Sequence, residues 1–308
     1  MLFGIREICD VVFKAKANQK IGNKIFYKGE PVIYFDSLKT STLEGAATTV
    51  YATGGRGNAR LIAWEGERTL TFTMEDALIS PIGISILTGA GLIDSSAENI
   101  IYQHTAETTT GTIAEGSMTI KLTEKAAKHD DALVYVMILD DNGDPATEPY
   151  LAMGEDSVDV TVKAATINGV AYTPNFEGYT DTVTVLVDYY IKRAGEGEAM
   201  QIEITPDKFG GNFYIEASTL FRNKAGVDLP AEFVIPNGKV QSNFTFTMAS
   251  SGDPSTFTFT LDAFPDYTRF NKTKKVMAAI QVITEDVVNE GVRTETPDAD
   301  KAVNEVEG

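Results

Sequence analysis

The 308-residue sequence predicts a mainly β protein: one sheet system built from both ends of the chain, a short helix lying across it, and a small β-sandwich module between. Three observations carry this. Residues 244–248 (FTFTM) and 257–261 (FTFTL) alternate large apolar groups with threonine on either side of Gly252, Asp253 and Pro254, the period-two pattern of a hairpin with one apolar face. Residues 69–74 (TLTFTM) repeat that text far upstream. Between about 105 and 195 the texture changes, and no helical stretch long enough for a βαβ crossover separates the strand candidates there.

Composition narrows the function classes. A hydrophobic content of 43% is that of a globular protein with a core, and the formal charge is −18. Such a surface repels nucleic-acid phosphates and anionic lipid, so tight DNA or membrane binding is disfavoured. Residues 105–200 carry −11 of that charge, a first sign of a separate module. The single cysteine, Cys9, cannot close an intrachain disulfide and reads as a small apolar residue. Arg6, Glu7 and Asp10 interrupt the early apolar residues, so no secretory signal is expected, and no apolar run approaches a membrane span.

In chain order, residues 1–18 fit helix or strand. Residues 25–27 and 32–35, around the turn Lys28-Gly29-Glu30-Pro31, read as a hairpin. Residues 41–51 form a weaker strand and lead into Gly54, Gly55 and Gly57. That loop lacks the lysine and spacing of a phosphate cradle and precedes a strand, so it reads as a flexible loop or subunit contact, with Trp64 beyond it as a packing anchor. Ser80 as N-cap, Pro81 in the first turn and Gly89 or Gly91 as stop predict a short helix with Ile82 and Ile86 on one face. Residues 117–123, 133–139, 158–163 and 183–191 are the strands expected of the middle module. Strands then follow at 201–205, 213–217, 220–222, 232–236, in the 236–265 hairpin and at 276–283. Residues 285–308 hold 8 acidic and 2 basic residues and read as a solvated tail.

Catalytic material is sparse. His104 and His129 are the only histidines, and no nucleophile elbow, paired-cysteine, zincin or dinucleotide motif occurs. Asp140, Asn142 and Asp144 begin like a calcium loop, but Pro145 and Leu151 stand where glycine and glutamate are required, so a tight turn is expected. Acidic pairs such as Glu75-Asp76 read as solvated, and the sequons at Asn243 and Asn271 as coincidences.

Residues 233–236 (FVIP), 239–242 (KVQS), 244–248 and 252–257 (GDPSTF), with 51–58 (YATGGRGN), 64–66 (WEG), 69–74 and 75–80 (EDALIS) upstream, resemble tail tube and related virion structural proteins of tailed bacteriophages. The resemblance covers residues 1–100 and 200–283. It implies a β-barrel or sandwich of two packed sheets with a flanking helix. Subunits of that family assemble as rings, usually hexameric, that stack into a tube with a β-lined lumen through which DNA passes. The acidic balance fits, since a negative wall lets DNA slide without sticking.

The domain expectation is therefore a tail-tube-like domain from 1–104 and 196–284, an inserted acidic immunoglobulin-like β-module at 105–195 on the tube exterior, and an acidic tail at 285–308. The apolar face of the hairpin should pack the core. Thr71, Thr73, Thr245, Thr247, Thr258 and Thr260 are the candidates for a wall shared between subunits. No enzyme activity, cofactor, metal, small-molecule substrate or membrane partner is expected. The expected partners are further copies of the chain, the tail sheath or other tail proteins, and DNA in transient passage. The expected location is the virion tail, after synthesis in the host cytoplasm. The alternative is an immunoglobulin-like adhesion or carbohydrate-binding module of a virion or cell surface, or a neck, baseplate or capsid-decorating component.

Overall fold

A computed structural model describes residues 2–5, 7–245, 250 and 256–284. The chain separates into two compact units, one formed by residues up to Gly91 and from Ile204 onward, the other by Leu92–Glu203. The first begins with β1 (Phe3–Ile5), β2 (Asp10–Ala15), β3 (Gln19–Ile21), β4 (Lys24–Phe26), β5 (Pro31–Phe35), β6 (Leu38–Gly54), β7 (Ala59–Asp76) and the helix α1 (Pro81–Thr88). The second holds β8 (Gly91–Asp94), β9 (Ile101–Ala114), β10 (Ser117–Ala126), β11 (Leu133–Ile138), β12 (Tyr150–Met153), β13 (Ser157–Val162), β14 (Ala165–Ile167), β15 (Val170–Tyr172), β16 (Asp181–Arg193) and β17 (Met200–Glu203). The first resumes with β18 (Asn212–Asn223), β19 (Asp228–Val240), β20 (Phe257–Ala263) and β21 (Ala279–Val282). The protein is mainly β, as its patterning requires.

The main sheet of the first unit runs β5-β2-β18-β19-β20-β7-β6, with β1 on β18 and β21 on β19. It is strongly curled. Phe35 on β5 and Phe259 on β20 lie four strands apart in that order, about 19 Å in a flat sheet, yet their ring centroids are 5.0 Å apart. The two edge strands, β5 and β6, are joined by Asp36 and Ser37 alone, so the curl brings the edges close to closure. Inside it Phe13, Phe35, Phe72, Phe213, Phe259 and Leu261 form the centre of the core. The helix covers this core with Ile86 and Leu87. Its ends are set locally, as the capping residues predict: the Ser80 hydroxyl accepts from the Gly83 N–H (3.0 Å), and Gly89 closes the helix at φ 73°, where an added Cβ would lie 2.7 Å from the Phe209 backbone.

Two hairpins differ from expectation. Residues 24–26 turn back at Gly22 (φ 60°) onto β3, not forward onto β5; β5 pairs with β2. The turn at Gly29 is held instead by the end of β2, since Gly29 N–H donates to Ala15 O (2.7 Å) and Ala15 N–H to Glu30 O (2.8 Å). In the 236–265 segment the paired part is Gly238–Val240 with Leu261–Ala263, and residues 241–245 leave the strand. β19 instead runs through Pro236 by a bulge opposite Tyr214, leaving Gly238 against the Ile215 side chain. Phe259 and Leu261 are core, but Phe244 is exposed, and Phe246 and Met248 lie outside the described residues. The echo at 69–74 explains itself: β7 is the direct neighbour of β20, with Phe72 opposite Leu261 and Met74 opposite Phe259.

The second unit is a six-stranded sheet ordered β12-β11-β16-β9-β10-β13, opened and closed in sequence by the β8/β17 ribbon. β10 starts beside β9 and ends with Ala126 opposite Ile191 of β16, so its two layers are halves of one sheet bent over a shared core of Met118, Val136, Val162, Val185, Val187 and Tyr189. No strand of this unit pairs with the nine-stranded sheet among the described residues.

Candidate functional site

Along β7 and β20 the core residues alternate with outward ones, so Thr71, Thr73, Thr258 and Thr260 face away from Phe72, Met74, Phe259 and Leu261. Register makes them one surface: Thr260 lies opposite Thr73, Asp262 opposite Thr71 and Thr258 opposite Glu75. β6 extends it, with Thr40, Thr42 and Glu44 opposite Glu75, Thr73 and Thr71. Sequence reasoning missed Thr40 and Thr42, although β-branched residues alternating with Ser41 and Leu43 are a strand signal. The face is hydroxyl-lined with carboxylates from Glu44, Glu75 and Asp262. Asp262 also accepts from the Gln241 amide (3.0 Å). Thr245 lies off the strand and is exposed, but it lines a cavity of about 330 Å³ together with Thr258 and Thr260. Thr247 lies outside the described residues.

The second feature is the outer half of the β6/β7 hairpin, a two-stranded ribbon exposed on both faces. Val50 pairs with Trp64 and Ala52 with Ile62, while Tyr51 pairs with Ala63. Alternation places Val50, Ile62 and Trp64 on one face and Tyr51 and Leu61 on the other. All five are exposed; Trp64, expected to anchor packing, is 53% accessible. Among the described residues nothing covers this ribbon, and a lone two-stranded hairpin is marginal in water. The glycine-rich loop is its tip, with Gly55 and Gly57 at φ 77° and 89°.

Other candidates resolve into local structure. Asp140 Oδ1 accepts from the N–H groups of Asn142 (2.8 Å) and Asp144 (2.9 Å), and these bonds hold its carboxyl below the usual range; this is an Asx turn. Among the described residues no group of three or more histidine, cysteine or acidic side chains could hold a metal ion. Cys9 is buried, which pushes its thiol up. His104 Nε2 lies 2.7 Å from Asp188, with His104 exposed and Asp188 half-buried. Asn271 Oδ1 accepts from the N–H and hydroxyl of Thr273, forming a turn.

The described residues thus present a curled β sheet capped by a helix, a hydroxyl and acid face, and an exposed apolar ribbon. The family model described as YomU/Tube protein family matches residues 3–278. The chain belongs to this family. It is a phage tube protein family, in agreement with the resemblance to tail tube proteins, and its match spans both units. No curated protein matches the chain. Membership in the YomU/Tube family makes the chain a structural component of the phage tail.

Proposed function

We propose that this YomU/Tube protein self-assembles into rings, hexameric by analogy with the tail tube proteins it resembles, which stack into the tail tube and conduct DNA during ejection. The observation that carries this is the β6/β7 ribbon, whose apolar groups on both faces need a second copy of the chain for burial. The face formed by Thr71, Thr73, Thr258 and Thr260 with Glu44, Glu75 and Asp262 supports a wall that DNA passes without adhering, since carboxylates repel phosphates and neutral hydroxyls add no charge attraction. The chain then works as a conduit and not as an enzyme, with further copies and other tail proteins as its partners. Residues 105–195 form a separate module on the outside of the tube, and the virion tail is the site of action.

Electron microscopy and sedimentation of the purified chain test this. Rings or tubes are expected from the native chain. The Ile62→Ser, Trp64→Ser double variant should remain monomeric while its unfolding free energy changes by only about 0.5 kcal/mol, since both groups are exposed in the single chain. A native chain that stays monomeric at every concentration, or a variant that assembles as well as the native chain, overturns the reading.

A further inference from the structure

Register places two opposite ends on the curled sheet of the first unit. At one end Asp10 pairs with Ser218, Ser218 with Glu232 and Glu232 with Gln281. At the other end Ala15 pairs with Phe213, which pairs with Gly238. Tyr214 and Thr219 thus stand about 17 Å apart along β18, at roughly 3.3 Å per residue. The chain leaves at the first end: Ile283 N–H donates to Pro230 O (2.9 Å), and residues 285–308 follow. That end is acidic, carrying Glu7, Asp10 and Glu232 around Ile283. Arg222, nearby, is already bound to Asp228 (2.5 Å), and Lys224 lies on the adjoining turn.

The opposite end is basic. The loop from Phe264 to Met277 is pinned by the Asp266–Val276 bridge and by Arg269, whose backbone N–H donates to the Tyr214 hydroxyl (3.1 Å) and whose guanidinium donates to Gly29 O (3.1 Å). Around it lie a cavity of about 400 Å³ lined by Lys16, Lys28, Tyr214, Arg269 and Lys272, and one of about 440 Å³ lined by Arg68, Lys274, Lys275 and Met277. Lys16 is paired with Asp266. Among the described residues no ion pair joins Lys28, Arg68, Arg269, Lys272, Lys274 or Lys275 to a carboxylate; the contacts of Arg269, Lys272 and Lys275 are to carbonyls and to the faces of Tyr214 and Tyr267. In a chain with a charge of −18, acids are the abundant partner, yet the carboxylate that lines these cavities, Asp266, is bound to Lys16, with Lys275 acting on it only through charge. Phe270, at the centre of the loop, is 91% exposed.

We infer that the basic end, Lys28, Arg68, Arg269, Lys272, Lys274 and Lys275 around Phe270, is the docking site for residues 285–308 of a neighbouring copy. The segment matches the site in kind: 8 acidic against 2 basic residues, with Val287, Val288, Val292, Val303 and Val306 interspersed to meet Phe270 and the apolar cavity floor. It leaves from the far end of the same strands, so a copy stacked end to end presents it directly to the next copy's basic loop. A contact between different ends of identical chains does not close on itself and repeats along an axis. This rests on the tube reading for the geometry of stacking, while the recognition itself rests on charge and on where the chain leaves the sheet at Ile283.

The test uses full-length chain grown on light and heavy nitrogen, mixed, and treated with a carbodiimide that joins carboxylates to lysine amines. Mixed-mass cross-links from acids of 285–308 to Lys272, Lys274 or Lys275 are expected. The Arg68→Glu variant retains those lysines but reverses a neighbouring charge, and should lower the mixed-mass yield by about threefold, as should added salt. Cross-links confined to one mass, tail cross-links to other lysines, or a yield unaffected by Arg68→Glu each overturn the inference. So does protection of these lysines by duplex DNA with no tail cross-link, which assigns the cluster to phosphate. Rings seen by microscopy without these cross-links remove the docking site and leave the tube reading standing; the cross-links without rings do the reverse.

Discussion

Gly238 shows how one position controls a strand. A Cβ there would meet the Cδ1 of Ile215, a fully buried core side chain that would have to shift. Gly238→Ala is expected to destabilise the first unit by about 1–3 kcal/mol, read as a lower urea midpoint. Tyr189 makes a comparable case in the second unit. Its hydroxyl donates to Glu107 (3.1 Å) and accepts from the Glu124 N–H (3.4 Å), and burial, followed by the charge of Glu107, pushes its phenol up to about 12. The folded value lies above the ordinary one of 10.0, so the stability this group contributes is full below pH 10 and is lost as pH rises through 12. Circular dichroism against pH should show unfolding of the second unit beginning in that window, and Tyr189→Phe should move its onset upward. Neither position was legible beforehand. Tyr189 was one apolar letter of a predicted strand, and Gly238 was one position near the start of the 236–265 hairpin.

At the scale of elements, what could be read locally was read well. The helix follows from Ser80, Pro81 and Gly89 because caps act within one turn of the residues that form them. Ser80→Ala should cost about 1 kcal/mol, and Gly89→Ala more, since it adds both left-handed strain and a clash with Phe209. Urea unfolding of the two variants gives the ranking, and equal costs would contradict the cap geometry. Period-two alternation likewise marked β7 and β20 with the correct faces inward, but it carries no information about partners. The segment at 25–27 therefore went to β3, and residues 244–245 left the sheet. β9 was not foreseen because its inward side is Thr105, Glu107 and Thr109 rather than aliphatic; Glu107 is tolerated there because Thr123 donates to it from backbone and hydroxyl. Its density of threonine was the available signal. The ribbon was hidden for the opposite reason, since Val50, Ile62 and Trp64 read as core residues and only the length of β6 and β7 carries them beyond it.

At the scale of the whole molecule, each unit has its own hydrophobic core. Residues 92–203 produced alone should therefore fold, with a single cooperative unfolding transition by calorimetry; a segment lacking one would show that its core depends on the rest of the chain. The sequence by itself determined the class of fold, the helix, the inward faces of β7 and β20 and the acidic balance, because periodicity, capping and charge depend on near neighbours or on composition. Only the tertiary structure decided which strands meet, that the main sheet curls until its edges nearly join, that Thr40 and Thr42 share a face with Thr71 and Thr73, and that the basic loop and the start of the acidic tail lie at opposite ends of the same strands. Those are relations between residues up to some 200 positions apart, set by hydrogen-bond register and by how the sheet closes over its core, and no local pattern encodes them.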